Sequence, residues 1–321
     1  MVETLRHSFK AMGTKVELVA SPDSDPRRVL RAAAAVEEIF AVEEQRFSRF
    51  RTTSELSLVN SRAGSGWVPV SQTFTTMTRI ALEGARATGG LFDPTILPAL
   101  KAAGYERDYE EILAAAEREQ DDEGLASIRR DLRDLMVKDV ATCGLWTDIE
   151  LGKNEIRMPP GAELDFGGIA KGWTVDKTAE ALVDLPWAIV DAGGDLRLVG
   201  VAPEGGLDIG VEDPEARGVE ALRVRLESGG LATTSVTVRS WGQGMHHVID
   251  PRTSLSAATG VLQATVWGET CAQAEVWSKA AVLAGAPILD GVPATLFFES
   301  GEIVTNFAEA DLLAELQEVP A

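Results

Sequence analysis

The stretch DFGGIAKGWTVD, at residues 165–176, places a Gly-Gly step directly before a predicted helix that has a lysine near its start. The first turn of a helix carries unpaired backbone N–H groups that attract phosphate, and glycine lets a ligand approach the backbone. The preceding residues 163–166 are predicted to end a strand. Two interpretations stay open from these residues alone: a phosphate-binding helix start, or a tight strand-to-helix turn with a solvated Lys171.

The hydrophobic pattern on either side of this stretch predicts an α+β protein whose mixed or antiparallel sheet is covered by helices. Ser71 is a predicted helix cap, and Gly193-Gly194 indicates a bulge or hairpin. We predict helices at 26–44, 71–87, 168–182 and 272–284. We predict strands at 16–20, 187–191, 294–300 and 302–307, with antiparallel strands between 193 and 266.

The length and composition of the chain allow one large domain or two smaller ones, and the lack of a linker favours a single domain over residues 1–321. The 321 residues are 45% hydrophobic, which is enough to build a large core. No linker-like segment separates two parts of the sequence. Residues 105–140 are charged and helical in pattern, and we interpret them as a solvated helical excursion from the domain.

The charge balance argues against nucleic acid and membrane partners. The chain has 50 acidic and 30 basic residues and a formal charge of −20, so an anionic ligand needs a local cation. Cys143 and Cys271 lack metal-ligand spacing and are expected to be free thiols. The first residues contain no apolar signal segment, and no apolar run long enough to span a bilayer follows, which predicts a cytoplasmic location.

Two adjacent histidines are the candidate acid–base groups. Neighbouring residues of a strand point to opposite faces, so at most one of His246 and His247 faces a given cleft. A histidine close to Asp250 is a suitable general base at neutral pH. The alternative is an edge strand in which one ring is hydrogen bonded and the other is solvated.

A loop with the sequence TGGLFDPTILPAL contains a further candidate carboxylate, Asp93. Pro94 forces an extended or turn conformation on Asp93, and such a loop can direct a carboxylate and an aromatic ring at a ligand. From this segment alone we favour the alternative, an Asp-Pro turn that caps the next segment.

A charged pair lies on the last predicted helix. Glu275 and Lys279 are four residues apart, which places both on one face of that helix. They form either a surface ion pair with little effect on stability, or a functional pair, because the helix around them is largely apolar.

Eight segments of the chain, taken in order, resemble the ApbE-type flavin transferases. They are MGT at 12–14, FSRF at 47–50 with SELSLVN at 54–60, TGGLFDPT at 88–95, DFGGIAKGWTVD at 165–176, DAGGDL at 191–196, TTSV at 233–236, HHVIDPRT at 246–253 and AEVWSKAAVLAG at 274–285. The resemblance implies a T-fold-like domain with an FAD site in a central cleft. It also implies an enzyme that uses FAD and Mg²⁺ to move FMN onto a threonine hydroxyl of an acceptor flavoprotein, in phosphoester linkage, with release of AMP.

The resemblance further implies roles for individual residues. By position, FAD is expected to contact Met12, Phe50, Asn60, Leu91, Phe92, Asp93, Gly167, Lys171, Trp173, Asp176, Ile249 and Ser278. Aromatic faces suit the flavin and adenine rings, and a helix that begins at glycine suits the pyrophosphate. His247 matches the base that takes the proton of the acceptor hydroxyl, a role that phosphoryl transfer requires besides positioning and charge neutralisation.

The implied metal site departs from the family pattern. One family ligand is a backbone carbonyl that falls on Ala170, and the side-chain ligands Asp and Thr fall on Glu275 and Lys279. Lysine has no lone pair for a metal ion. In the first hypothesis, which we favour on the sequence, Mg²⁺ binds weakly through Ala170, Glu275, waters and FAD phosphates. In the second, Lys279 supplies the positive charge and Glu275 orients it.

Two family glycines are also replaced, by Ser254 and Val236, which predicts a local backbone shift and a different acceptor groove. We expect a protein FMN transferase. Two alternatives stay open. One is an FAD pyrophosphatase in which water replaces the acceptor and the products are FMN and AMP. The other is a flavin-binding or carrier protein that lost catalysis together with its threonine ligand.

Overall fold

A computed structural model describes residues 4–109, 111, 143–241 and 245–307 of the chain. The helices are α1 (Pro26–Phe47), α2 (Glu55–Asn60), α3 (Gln72–Ala87), α4 (Leu97–Ala102), α5 (Ala170–Lys177) and α6 (Cys271–Ala284), with 3₁₀ turns at Leu145–Asp148, Thr178–Leu182 and Ala286–Asp290. The strands are β1 (Leu5–Ala11), β2 (Thr14–Ala20), β3 (Trp67–Pro69), β4 (Glu150–Leu151), β5 (Glu155–Arg157), β6 (Trp187–Ala192), β7 (Asp195–Gly200), β8 (Leu207–Glu212), β9 (Glu220–Leu226), β10 (Gly230–Ser235), β11 (Ser240–Trp241), β12 (Met245–His246), β13 (Ile249–Asp250), β14 (Leu255–Ser256), β15 (Val261–Gly268), β16 (Ala294–Phe298) and β17 (Ile303–Thr305).

The chain divides into two compact units. Unit 1 comprises Met1–Ala41, Lys171–Thr237 and Gly260–Ala321, and unit 2 comprises Val42–Ala170 and Val238–Thr259. The prediction that residues 1–321 act as one domain stays a prediction, and each unit is described by itself below.

Unit 1 is built on a large antiparallel sheet. Within its described residues, eight strands pair in the order β1-β2-β6-β7-β10-β15-β16-β17. The turn between β6 and β7 is formed by Gly193 and Gly194, whose φ angles of 71° and 91° lie in the left-handed region that glycine adopts without strain. The predicted hairpin at this position is therefore confirmed.

Both faces of this sheet are covered, as strand β6 shows. Its alternate residues Ala188 and Val190 join a core that includes Phe40 of α1, whereas Ile189 between them joins a core with Val224 of the hairpin β8–β9. Successive side chains of a strand point to opposite faces, so a strand that is covered twice is apolar along its length. Helix α6 packs on β10 and β15.

Unit 2 combines short helices with small antiparallel ribbons. Strands β3, β5 and β4 form one small sheet, and β11 with β12 and β13 with β14 form two-stranded ribbons. The rings of Phe47, Phe74 and Phe166 form a cluster with 5.5 to 6.0 Å between ring centroids. Phe47 and Phe74 are tilted against each other, and both contact Phe166 edge-to-face. The predicted cap of α3 is confirmed, since Ser71 Oγ accepts from the backbone N–H of Phe74 at 3.1 Å.

The α+β prediction is confirmed, and two local predictions are corrected. Residues 163–166 form no strand and lie outside any regular element, and the helix predicted at 168–182 begins at Ala170 and continues after Lys177 as a 3₁₀ turn. Most of the predicted excursion at 105–140 lies outside the described residues. None of the helices in the described parts of the chain combines the length and the apolar character needed to cross a bilayer.

Candidate functional site

The segment that leads into α5 is held in unit 2 by the side chain of Asn60. Its Nδ2 donates to the Leu164 carbonyl at 2.8 Å, and its Oδ1 accepts from the Leu164 N–H at 2.8 Å. The Asn60 side chain thus makes the same two hydrogen bonds to Leu164 that a neighbouring strand would make. Asn60, which the resemblance assigns to FAD, therefore positions the backbone of the segment before the Gly-Gly turn.

The Gly-Gly turn is closed by hydrogen bonds of its own. Asp165 Oδ1 accepts from the Gly167 N–H at 2.7 Å, and the Ala170 N–H donates to the Phe166 carbonyl at 2.7 Å. A Cβ atom on Gly167 would lie 2.8 Å from Asp165 Oδ1, which explains the glycine. The Gly167 N–H is thus engaged within the chain, and its predicted contact with FAD stays a prediction.

The lysine of the motif belongs to a buried charge cluster in unit 1. Lys171 Nζ forms an ion pair with Asp195 Oδ2 and lies 2.8 Å from Glu275 Oε1, and Lys279 Nζ lies 3.4 Å from the same Glu275 oxygen. The exposed fractions of the side chains are 16% for Lys171, 2% for Asp195, 0% for Glu275 and 18% for Lys279. The expectations of a solvated Lys171 and of a surface pair on the last helix are both wrong. We call these four residues the lysine–carboxylate cluster.

Burial and neighbouring charges act against each other in this cluster. Burial raises the pKa of Asp195 to about 6, although Lys171 opposes the shift. Burial also acts to raise the pKa of Glu275, but Lys171 and Lys279 outweigh it and lower this pKa. Burial lowers the pKa of Lys279, against the attraction of Glu275. Asp195 Oδ1 is buried and has no hydrogen-bond partner among the described residues.

The side chains at the implied metal position do not fit Mg²⁺ in this arrangement. Glu275 Oε1 is in contact with two ammonium groups, and Oε2 accepts the Gly172 N–H at 2.8 Å. Lys279 has no lone pair to offer. A divalent ion about 4 Å from one ammonium would be opposed by roughly 8 kcal/mol at an effective dielectric constant of about 20. Among the described residues, no three His, Cys, Asp or Glu side chains come together as a metal site would.

Helices α5 and α6 of unit 1 meet through Gly172 and Asp176. The Asp176 carboxylate accepts the N–H groups of Cys271 and Ala272 at 2.9 Å each, and so it binds the first turn of α6. A Cβ atom on Gly172 would lie 2.7 Å from the Cys271 carbonyl oxygen. Asp176 also pairs with Arg197 at 2.6 Å. These bonds give Asp176 a structural role, and its assignment to FAD stays a prediction.

Three further residues that the resemblance assigns to FAD lie in unit 1. Met12 occupies the turn between β1 and β2 with φ of 50°, a left-handed conformation that is strained for a residue with a side chain. Trp173 is buried at 7% exposure, with Lys177 Nζ 4.9 Å from its ring centroid. Ser278 is fully buried and its Oγ bonds Thr234 Oγ1 at 2.6 Å. Met12 and Gly13 both have positive φ in the two-residue turn between β1 and β2, so the hairpin accounts for this conformation, and the contact of all three residues with FAD stays a prediction.

Phe50 of unit 2 lies beside an arginine that the sequence did not single out. Arg49 is stacked between two rings, 4.5 Å from the centroids of both Phe50 and Tyr105. Its Nη1 donates to the Tyr105 carbonyl at 2.7 Å, and its Nε lies 3.0 Å from Asp165 Oδ2. Arg49 Nη2 is buried without a hydrogen-bond partner among the described residues. Phe50 itself is 41% exposed and offers an aromatic surface.

The Leu91-Phe92-Asp93 segment is fixed by a carboxylate-centred turn. Asp93 Oδ1 accepts from the N–H of Thr95 at 2.7 Å and from its hydroxyl at 2.6 Å, and Oδ2 accepts from the Gly144 N–H at 2.6 Å. Both oxygens are therefore used within unit 2, as the capping alternative for Asp93 predicts. Phe92 is buried and Leu91 is half-buried.

The two histidines of unit 2 have different environments. His246 is buried, its Nε2 lies 3.0 Å from the Ala257 carbonyl, and burial lowers its pKa. His247 follows strand β12 and is half-buried, with Nδ1 3.4 Å from the Arg239 carbonyl. An Nδ1–H directed at a carbonyl places the lone pair on Nε2, the tautomer that a base needs. The nearby Ile249 is buried at 3% exposure.

The two replaced glycines have different consequences. Ser254 keeps a left-handed conformation with φ of 61°, and its N–H donates to the Asp250 carbonyl at 2.8 Å. Val236 is not among the described residues with positive φ, and its N–H pairs with Leu262 at 2.9 Å. Serine thus preserves the turn that glycine would form, at the expense of strain.

Comparison with known proteins identifies the family of the chain. A family model described as the ApbE family matches residues 12–290. The chain belongs to the ApbE family. The FAD:protein FMN transferase of Treponema pallidum is 28% identical over 272 residues, which cover 78% of this chain and 72% of that protein. The FAD:protein FMN transferase of Vibrio cholerae is 25% identical over 285 residues, which cover 85% and 79%.

Solved ApbE structures show the same fold. The crystal structure of the ApbE protein from Thermotoga maritima matches with a TM-score of 0.76 at 25% identity, over 95% of this chain and 97% of that chain. The flavin transferase ApbE from Vibrio cholerae matches with a TM-score of 0.73 at 20% identity, over 96% and 98%. The resemblance found in the sequence is therefore confirmed for both family and fold.

The ApbE motifs assemble two sets of residues, one in each unit. Unit 1 brings Lys171, Glu275 and Lys279 together and also contains the motifs at 12–14, 191–196 and 233–236, whereas unit 2 holds Phe50 and His247 by packing and hydrogen bonds. Sequence reasoning missed Asp195 and Arg49 as members of these sets. Both lie inside the motifs DAGGDL and FSRF, where the sequence shows a charged residue beside a glycine or an aromatic residue but not that this charge is buried.

Proposed function

We propose that this chain transfers the FMN moiety of FAD to a threonine hydroxyl of an acceptor flavoprotein and releases AMP. The observation that carries the proposal is its membership of the ApbE family over residues 12–290. Relatives named FAD:protein FMN transferase align with more than two thirds of the chain, which supports the same activity here. A cytoplasmic location is part of the proposal and is checked by fractionating cells that express the untagged chain.

His247 acts as the general base in this proposal. The hydroxyl oxygen of the acceptor threonine forms a bond to the FMN phosphorus of FAD, while the bond from that phosphorus to the bridging oxygen breaks. AMP leaves with the bridging oxygen, and the hydroxyl proton passes to His247 Nε2. The contact of Nδ1 with the Arg239 carbonyl, at 3.4 Å, supports this assignment because it orients the ring.

Nine of the twelve predicted FAD residues divide by their contacts into two groups, and the contacts of Gly167, Lys171 and Ile249 with FAD stay predictions. Phe50, Met12 and Leu91 retain exposed or half-exposed side chains, and we assign them to direct contact with FAD. The second group forms hydrogen bonds or packing contacts within the chain, and we assign it to positioning the site. Its members are Asn60, Phe92, Asp93, Trp173, Asp176 and Ser278.

The test is incubation of the full chain with FAD and a threonine-containing acceptor, followed by mass spectrometry. Covalent FMN on the acceptor supports the proposal. Free FMN with AMP would instead identify an FAD pyrophosphatase, and unchanged FAD that stays bound would identify a carrier protein. Each of the three outcomes has a different mass signature.

The variant His247→Ala tests the base. Transfer is expected to fall by about 10²- to 10⁴-fold, because a positioned base contributes that much, while FAD binding stays nearly unchanged. His7→Ala, in the half-exposed pair with Glu37, is the matched control and should transfer FMN normally. Full activity of His247→Ala would remove His247 from this role.

A further inference from the structure

The lysine–carboxylate cluster carries an inference that rests on the proposed function. We propose that FAD binding and FMN transfer in this protein need no divalent cation, because the Lys279 ammonium, held by Glu275, supplies the positive charge at the FAD diphosphate. The substrate stays the same, but the source of charge neutralisation changes from a bound ion to a side chain.

Both carboxylate oxygens of Glu275 already have partners within the chain. Its Oε1 contacts Lys171 Nζ at 2.8 Å and Lys279 Nζ at 3.4 Å, and its Oε2 accepts the Gly172 N–H at 2.8 Å. A metal ion would have to displace two like-charged groups from a fully buried carboxylate. The Glu275 carboxylate instead forms a charge-assisted hydrogen bond that holds the Lys279 ammonium in place.

The two lysines of the lysine–carboxylate cluster are not equivalent. Lys171 pairs with both Asp195 and Glu275, so two carboxylates share its charge. Lys279 pairs with Glu275 alone among the described residues, and its two hydrogen bonds go to the carbonyl and carboxylate of Glu275, at 3.3 and 3.4 Å. An ammonium has three donors, so Lys279 keeps one for a ligand. Its side chain is 18% exposed, which permits contact with a bound molecule.

The net charge of the whole chain also favours a fixed cation at this position. With 50 acidic and 30 basic residues, a diphosphate must approach against a formal charge of −20 unless a cation lies at its binding site. Lys279, in the interior of helix α6 (Cys271–Ala284), provides this cation permanently. It is present at any concentration of divalent ions.

The transfer step balances without a metal. The acceptor oxygen bonds to the FMN phosphorus, the bond to the bridging oxygen breaks, AMP leaves with that oxygen, and His247 receives the hydroxyl proton. Lys279 keeps its proton throughout and stabilises the negative charge of the diphosphate and the leaving AMP. Electrostatic stabilisation by a preorganised cation is sufficient for this role.

The decisive experiment uses the unmodified full chain. FAD is titrated into it by calorimetry in EDTA and again in excess Mg²⁺, and FMN transfer to the acceptor is measured under both conditions. We expect FAD affinity and transfer rate to differ by less than about threefold between the two conditions. Saturable binding of Mg²⁺ to the FAD-bound chain, with loss of FAD binding in EDTA, would overturn the inference.

Variants test the residue itself. Lys279→Thr is expected to weaken FAD binding in EDTA by about tenfold or more, and Lys279→Arg, which keeps the charge, to weaken it far less. Lys10→Thr, on the exposed side of β1, is the matched control for loss of one lysine and should bind FAD normally. Equal FAD affinity of Lys279→Thr and the unmodified chain in EDTA would also overturn the inference.

The outcomes separate this inference from the proposed function. FAD binding and transfer that occur only with Mg²⁺ would defeat the inference and leave the transferase in place. Absence of FAD binding under every condition would defeat both.

Discussion

Each unit buries charges within a predicted cofactor-binding segment, and the two sets are built differently. In unit 1 the lysine–carboxylate cluster joins flexible ammonium groups to carboxylates that are 0% and 2% exposed. In unit 2 the planar guanidinium of Arg49 lies 4.5 Å from two ring centroids and 3.0 Å from Asp165. The first set depends on charge balance, whereas the second depends on shape. Changes of charge should therefore damage unit 1, and changes of shape should damage unit 2.

Removing one carboxylate charge from unit 1 should have the largest effect. In Glu275→Gln, the volume is kept, but Lys171 and Lys279 lose their common partner. The free energy of unfolding is expected to fall by about 3–5 kcal/mol, the range for breaking a buried ion pair. Urea denaturation followed by circular dichroism measures this change.

The matched control for that variant is an exposed pair. Glu37 pairs with His7 and is 46% exposed, so Glu37→Gln should change the free energy of unfolding by less than about 1 kcal/mol. Equal effects of the two variants would contradict the distinction between buried and exposed charge. In a double-mutant cycle, Lys279→Met should recover part of the loss in Glu275→Gln.

The pH dependence of unit 1 should show the next largest effect. The pKa of Asp195 is raised from 3.8 in the unfolded chain to about 6 in the folded protein. Because the folded state binds the proton more tightly, Asp195 contributes stability below pH 4 that is lost as the pH rises through 6. The contribution corresponds to about 3 kcal/mol.

Asp195→Asn tests this sign. The variant should remove the fall in unfolding free energy between pH 4 and pH 7, measured by urea titrations at several pH values. Asp208→Asn, on the exposed side of β8, is the control for loss of one carboxylate. A pH profile of Asp195→Asn that runs parallel to that of the unmodified chain would show that Asp195 does not titrate in this range.

A substitution in unit 2 that changes the shape of a side chain but keeps its charge should have the smallest effect on the free energy of unfolding. Arg49→Lys keeps one positive charge but loses the planar stacking on Phe50 and the bond to the Tyr105 carbonyl. We expect a loss of about 1–2 kcal/mol in the free energy of unfolding. The control is Arg157→Lys, which is 48% exposed over Trp67 and should change stability by less than about 0.5 kcal/mol. A neutral Arg49→Lys would contradict the dependence on shape.

Much of the fold follows from local pattern. Helix α3 and its cap Ser71, the helix α6 and the Gly193-Gly194 hairpin were predicted because period, cap and turn residues agree over short distances. The prediction of a strand at 163–166 was wrong, because the hydrogen-bond partner of this segment is distant in sequence and cannot be read from the local pattern. The partner of that segment is the side chain of Asn60, about a hundred positions earlier in the chain.

The candidate site was predicted less completely than the fold. The motifs identified Lys171, Glu275 and Lys279, but the sequence favoured a weakened Mg²⁺ site over a lysine-based one. The contacts support the second hypothesis, because both oxygens of Glu275 have partners within the chain. Asp195, which completes the cluster, is the first residue of β7, directly after the hairpin turn, and a sequence pattern cannot tell a buried carboxylate from an exposed one at this position.

The sequence by itself determined the family, the α+β class and the residue types that chemistry could use, since these depend on motif order, hydrophobic period and side-chain identity. Only the tertiary structure decided which of those groups form bonds within the chain and which remain available to a ligand. Lys171 and Asp176 form bonds with residues roughly a hundred positions away along the chain, and within the described part of the chain Lys279 pairs with one carboxylate, that of Glu275. Charge neutralisation depends on distance and burial, and these arise from folding, not from order along the chain.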